Sequence, residues 1–280
     1  MSNRPPTRLF AATRSEVFAA LLVTATLNAQ AGRIVDALAG NLTAAFISLF
    51  GINAIVWFAC FALMRIGLEA RDGGPQEQIT RADLGIAIGM ALACLLPTPF
   101  PAAAALIGGA IWLWRSSPAD SGGRRLAIIG LALTGPVIWG PLVLRLLGPQ
   151  LLWLDAALGA ALAGYEASDN LIVTPGARLD LMVADGCSAF RNVTQVLLLA
   201  TTLFVLLDLR PTLRAGIGVA AAIGAVILIN GTRLAAMALY PARFDYLHDG
   251  GGATLFGYAT LVASVLILGV FLGRSPRHAH

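Results

Sequence analysis

Asp185-Gly186-Cys187-Ser188-Ala189-Phe190-Arg191 marks the point where a polar, glycine-containing loop gives way to a long apolar run. The run continues to about Leu207, close to the ~20 residues that cross a bilayer. Cys187 therefore falls where loop becomes membrane helix. The first turn of a helix carries unpaired N–H groups and the positive end of the macrodipole. Both favour a thiolate over a thiol. Arg191, four residues on, shares a helical face with Cys187 and adds positive charge.

Outward from this stretch, loop and apolar run alternate along the whole chain. Of the 280 residues 58% are hydrophobic and only 12% charged, where a soluble domain would carry about 25% charge. Apolar runs are expected as spans at 16–30, 42–64, 84–96, 102–114, 126–147, 188–207, 215–236 and 253–272. This predicts an all-α fold, a polytopic transmembrane helical bundle of about eight spans. It forms a single integral-membrane domain, 1–280, in three parts: an N-terminal helical half, 1–147, an extracytoplasmic segment, 148–187, and the motif-bearing helices and tail, 188–280. Pro97-Thr98-Pro99-Phe100-Pro101 ends one short span before the next begins, and Pro136 and Pro141 predict a kink in the fifth. In the segment 148–186, Leu151–Tyr165 reads as an interfacial helix carrying Asp155. Leu171–Val173 and Leu179–Val183 flank Thr174-Pro175-Gly176-Ala177, whose Pro-Gly pair fits a type II turn. A small extracytoplasmic β-hairpin is thus expected just before the Cys187 helix.

All nineteen basic residues are arginine. With the N-terminus inside, the eight-span order puts only Arg33, Arg145, Arg178, Arg191, Arg233 and Arg243 at outside or near-outside positions, and the other thirteen inside. That is the bias of the positive-inside rule. It predicts cytoplasmic termini and an extracytoplasmic Cys187. The apolar stretch after the N-terminus lacks a clear small-residue cleavage site, so a retained first helix is expected, and the membrane is expected to be a prokaryotic cytoplasmic membrane. The arginines are scattered, which gives no basic patch for nucleic acid.

Cys60 and Cys94 lie inside apolar runs, where a free cysteine behaves as a small hydrophobe. Cys187 is flanked by polar residues and faces an oxidising compartment without a partner. It is either an unpaired thiol of no consequence or a nucleophile. His248, in Leu247-His248-Asp249-Gly250-Gly251-Gly252, is the one histidine outside the tail, where His278 and His280 stand. It is either an interfacial loop histidine or a general acid/base for a thiol. Arg233, in Asn230-Gly231-Thr232-Arg233, shares a face with Asn230. It either snorkels to the interface or offers a guanidinium to a carbonyl-derived oxyanion. One histidine and one outside cysteine do not make a closed metal site, and no motif points to a cofactor. Asp185, Ser188 and Arg191 are candidates for supporting the nucleophile.

At these three motifs the sequence resembles the exosortase/archaeosortase family. That family carries a Cys-Ser-Gly-type motif, an Asn-x-x-Arg motif and a His-x-x-x-Gly motif, in this order, at the ends of successive membrane helices. Here they stand as Cys187-Ser188-Ala189, Asn230 to Arg233, and His248 to Gly252. Ala189 departs from the usual Gly, which bears on substrate identity more than on mechanism. The likeness covers about Leu151–Leu272, and the first half matches only as hydrophobic spans. The resemblance implies a cysteine peptidase/transpeptidase acting on membrane-anchored proteins with a C-terminal sorting signal of the PEP-CTERM type: a short motif, a membrane helix and an Arg-rich tail. It implies Cys187 as nucleophile, His248 as proton shuttle, Arg233 as oxyanion holder, a thioacyl intermediate, and an acceptor nucleophile or water that releases the product. Lateral docking of the substrate helix is expected on a small-residue face such as Gly216–Gly224. The alternatives are a transporter or channel, a non-catalytic membrane assembly subunit, and a membrane thiol acyltransferase.

Overall fold

The computed structural model describes residues 12–70, 77–96, 98–174 and 180–273. The fold is mostly helical, with one small sheet, and the chain divides into two compact units, Met1–Val137 and Ile138–His280. The expected turn residues Pro175, Gly176 and Ala177, as well as His278 and His280, lie outside the described residues.

The first unit holds α1 (Arg14–Asn28), α2 (Ala31–Ala39), α3 (Leu42–Ile47), α4 (Ala54–Glu69), α5 (Arg81–Leu95), α6 (Pro99–Ser116) and α7 (Gly122–Thr134). Thr13 and Glu16 start α1 with a reciprocal capping box. Phe18, Ala19, Leu22 and Ala25, at helical spacing, are fully buried where α1 packs on α4, α5, α6 and α7. Arg14 turns inward at the start of α1. Its Nε donates to Asp83 at 2.9 Å, and its Nη atoms donate to Ser117 and Ser116. Trp112 Nε1–H donates to the same Asp83 oxygen at 2.8 Å, and Thr80 caps α5 through the other one. Pro99 and Pro101 sit in the first turn of α6, where a missing N–H costs little.

Two expectations for this unit are corrected. The run 42–64 is not one helix. Ser48 ends α3, then Leu49, Phe50 and Gly51 all take left-handed φ, and Asn53 caps a new helix, α4. Hydropathy does not register that break, because Leu49, Phe50 and Ile52 are as apolar as the helices around them. The stretch expected as a loop around Arg33 and Asp36 is helical, forming α2.

The second unit begins at the end of a π-helical turn, Gly135–Trp139, which falls at Pro136 where the kink was expected. It holds α8 (Gly140–Ala163), β1 (Glu166–Ser168), β2 (Leu171–Val173), β3 (Leu181–Met182), α9 (Ala189–Leu206), α10 (Leu213–Leu239), α11 (Phe244–His248) and α12 (Gly251–Leu272). Leu151–Tyr165 is not a separate interfacial helix; most of it is the second half of α8. The chain leaves helical geometry only at Leu147 (φ −117°, ψ 15°), just before Pro149, and then resumes. Pro149 thus bends the helix without ending it.

β2 and β3 pair antiparallel, Leu171 with Met182 and Ile172 with Leu181, as the expected hairpin requires. A third strand is added: β1 pairs with β2 across Asp169, which takes a left-handed φ. Its Glu-Ala-Ser sequence carries no strand signal of its own and becomes strand through its partner. α10 packs on α8, α9 and α12, while β1 and β2 pack on α8.

By length and composition, four helices are long and apolar enough to cross a membrane: Gly122–Ala163, Ala189–Leu206, Leu213–Leu239 and Gly251–Leu272. The pair α1 and α2, bent by 58°, makes a fifth if taken as one broken span. These helices fit a membrane protein. Among the described residues the expected count of eight is not reached: α4 and α5 are only 16 and 15 residues long, and α6, at 18, is not apolar enough.

Candidate active site at one end of the second unit

The C-terminal part of α8, the sheet, the start of α9, the last turns of α10, and α11 meet at one end of the second unit. Asn170 sets the geometry of the sheet exit. Its backbone C=O accepts from Val183 N–H at 2.8 Å, and its Nδ2 donates to Val183 C=O at 2.9 Å. Val183, fully buried, is thereby fixed two residues before a 3₁₀ turn, Asp185–Cys187.

Cys187 does not sit in the first turn of α9. It closes this 3₁₀ turn, with its N–H donating to Ala184 C=O at 2.8 Å, and Ser188 is the N-cap of α9. The residue is 4% exposed and packs among Leu152, Ala156, Ile172, Leu234, Met237 and Leu247. The expectation of a thiol pulled down by a helix start and by Arg191 is corrected. Burial pushes the Cys187 thiol up from its ordinary range, Arg233 pulls it down, and Asp249 and Asp155 push it up. Arg191 is exposed, and the side chain of Asp185 is exposed as well; Asp185 contributes its carbonyl, which accepts from Ser188 N–H at 3.3 Å.

The Asn-x-x-Arg motif lies on α10, one turn apart on one face, and reaches both other motifs. Asn230, 5% exposed, donates from Nδ2 to Cys187 C=O at 2.8 Å. Arg233 donates from Nε to Leu247 C=O at 2.9 Å and from an Nη to His248 C=O at 2.6 Å. One amide therefore holds the cysteine turn and one guanidinium holds the end of α11. Gly231, between them, lets α8 approach: a Cβ there would lie 2.7 Å from Leu158 Cγ.

His248 stacks on Phe244, with ring centroids 5.0 Å apart, and its Nδ1 lies 2.7 Å from Asp249 Oδ2. A carboxylate can only accept, so Nδ1 carries the proton and Nε2 is left as the basic nitrogen of the neutral ring. Asp249 is 86% exposed at its side chain, so this pair stands at the wet edge of the site.

Two contributors were not assigned from sequence. Asp249 stood next to His248, but adjacency in sequence does not reveal a side-chain pair. Asp155, a carboxylic acid inside an apolar run, was visible as an oddity. Its partners, Ser188 and Ala189, come 33 and 34 residues later. Ser188, expected to support the nucleophile, is the residue that bonds it.

The backbone N–H groups of Cys187, Ser188 and Ala189 are already engaged. Cys187 N–H points to Ala184 C=O, Ser188 N–H to Asp185 C=O, and Ala189 N–H to Asp155. A negative charge on a carbonyl oxygen placed beside Sγ would have to be met by other donors, and Arg233 has N–H groups beyond the two that bond carbonyls.

The small-residue face expected to dock a substrate helix is not uniform. A Cβ at Gly218 would collide with the Phe271 side chain, so Gly218 is used in packing α10 on α12. A Cβ at Gly216 or Gly224 would meet nothing within 4 Å.

Comparison of the chain with known proteins gives no significant match to a protein-family model, to a curated protein or to a solved structure.

Proposed function

We propose that this chain is an exosortase-like membrane cysteine peptidase/transpeptidase that cleaves C-terminal sorting signals of membrane-anchored exported proteins. The observation that carries it is the bridging by Asn230 and Arg233 of the cysteine turn and the histidine helix. Three motifs separated by up to 61 positions are thereby joined by hydrogen bonds at one end of one helical unit.

The chemistry follows from the groups present. Burial keeps Cys187 a thiol at rest, so its proton must leave as the sulfur attacks. His248 Nε2 takes that proton while Asp249 holds Nδ1–H. Sγ bonds to the scissile carbonyl carbon, and Arg233 receives the negative charge that moves onto the carbonyl oxygen. The tetrahedral species collapses with cleavage of the C–N bond. The leaving amine, at the start of the discarded tail, takes the proton from His248, and a thioacyl-enzyme remains. An acceptor nucleophile or water then attacks, gives its proton to His248, and releases Cys187.

The full arrangement proposed has about eight spans, with the shorter helices of the first unit completing the membrane layer. Both termini are cytoplasmic, and the site opens at the extracytoplasmic face. The arginine distribution supports that sidedness.

The test is coexpression with a tagged protein that ends in a sorting motif, a membrane helix and an Arg-rich tail. Cys187→Ala, Arg233→Ala and His248→Ala should each leave the precursor at full size while the chain still inserts. A topology reporter at Thr174 should read extracytoplasmic. Cleavage by Cys187→Ala, or a cytoplasmic reporter, would overturn the assignment.

A further inference from the structure

Asp155 lies in the second half of α8, 7% exposed, among apolar residues. Its carboxylate accepts from Ser188 Oγ–H at 2.7 Å and from Ala189 N–H at 3.2 Å, and the Asn230 amide stands beside it. Burying a carboxylic acid this deeply is costly unless it is hydrogen-bonded. Here every such bond goes to the two residues directly after Cys187 or to the residue that holds the Cys187 carbonyl. Cys187 is thus gripped from two helices: by Asn230 of α10 through its own carbonyl, and by Asp155 of α8 through Ser188 and Ala189.

The short sheet and the 3₁₀ turn bring the chain to this point without a regular element around Cys187 itself. A turn of this kind has several rotational alternatives, and its side-chain direction depends on what pins its ends. Val183 is pinned on one side by Asn170. Asp155 pins the other.

We propose that Asp155 is the positioning residue of the Cys187 nucleophile: a buried acceptor on α8 that holds Ser188 and Ala189 and thereby aims the thiol at the scissile carbonyl. The proposal rests on the peptidase assignment above for the word nucleophile, while the grip on the turn stands on the hydrogen bonds alone.

The experiment uses the full chain in membranes, with Cys60→Ala and Cys94→Ala leaving Cys187 as the single thiol. Two readouts are taken: the rate at which a small water-soluble maleimide labels Cys187, and kcat and KM for processing of the tagged precursor. Buried Cys187 labels only when its turn opens, so Asp155→Ala should raise the labelling rate about tenfold or more. Its kcat should fall on the order of a hundredfold with KM little changed. Asp155→Asn keeps an oxygen that accepts from Ser188 and Ala189, and should recover both readouts most of the way. Ser188→Ala removes one bond from the other side, so it decides the matter should Asp155→Ala fail to insert; it should raise labelling by a smaller factor. Labelling of Asp155→Ala and Ser188→Ala at the parent rate would overturn the proposal, as would Asp155→Asn behaving like Asp155→Ala. Faster labelling with unchanged kcat would also overturn it, since the grip would then not aim the thiol. Labelling needs no substrate. Failure of the peptidase assignment, seen as a precursor untouched by the parent chain, is therefore distinct from failure here.

Discussion

Asn230→Asp is the most informative single substitution at this site. It keeps shape and volume and replaces the donor NH₂ group with an acceptor oxygen. Asn230 Nδ2 lies 2.8 Å from Cys187 C=O in a buried setting. Losing that donor leaves the carbonyl without it, at a cost of about 1–3 kcal/mol. At 1.4 kcal/mol per tenfold, the open form of the cysteine turn should become about fivefold to a hundredfold more populated. The upper end applies to Asp, since its carboxylate faces both the Cys187 carbonyl and Asp155, whereas Asn230→Ala leaves only a missing partner. Maleimide labelling of the single-cysteine chain reads this population directly. The expected order is Asn230→Asp fastest, then Asn230→Ala, then the parent. Asn230→Asp labelling within about twofold of the parent would refute the view that this amide holds the nucleophile's turn.

The remaining predictions concern charge and packing. Cys187 is held above the ordinary cysteine range, so its alkylation should rise with pH beyond that range; Arg233→Met should move the profile to higher pH and Asp249→Asn to lower pH. The neutral thiol is the buried form, so the stability it contributes is present below the pKa of an unfolded cysteine and is lost as pH rises through the higher folded value, measurable by thermal melts across alkaline pH. Gly159→Ala places a Cβ 2.9 Å from Leu234 Cβ and should cost about 1–3 kcal/mol, whereas Gly224→Ala meets nothing and should leave the melting temperature unchanged or raised. In the first unit, Arg14→Leu or Asp83→Leu alone should cost about 3–5 kcal/mol, and the double variant less than the sum, in melts of the purified protein.

Much of the second unit was legible in the sequence because its signals are local. The apolar runs that became α9, α10 and α12 are unbroken and flanked by polar loops. The Pro-Gly pair announced the β2–β3 hairpin. Asn230 and Arg233, three apart, had to share a face once α10 was helical. What could not be read depends on distant partners or on competition between local rules. Asp155 makes sense only with Ser188 in place. Pro149 breaks a helix by rule, yet α8 continues through it, because one residue, Leu147, absorbs the distortion. The run 42–64 failed the opposite way: hydropathy is blind to the left-handed residues at Leu49 to Gly51. The thiol was expected low from its place at a helix start, but burial among Leu152, Ile172 and Leu247 outweighs the charges around it.

The most direct test is capture of the acyl intermediate. The chain is incubated with a precursor bearing a sorting signal, quenched in acid, and mapped by mass spectrometry with and without hydroxylamine. A hydroxylamine-sensitive acyl group on Cys187, absent from Cys187→Ala and from chain without precursor, is the predicted result. Processing that proceeds with no adduct on Cys187, or an adduct on another side chain, would contradict it.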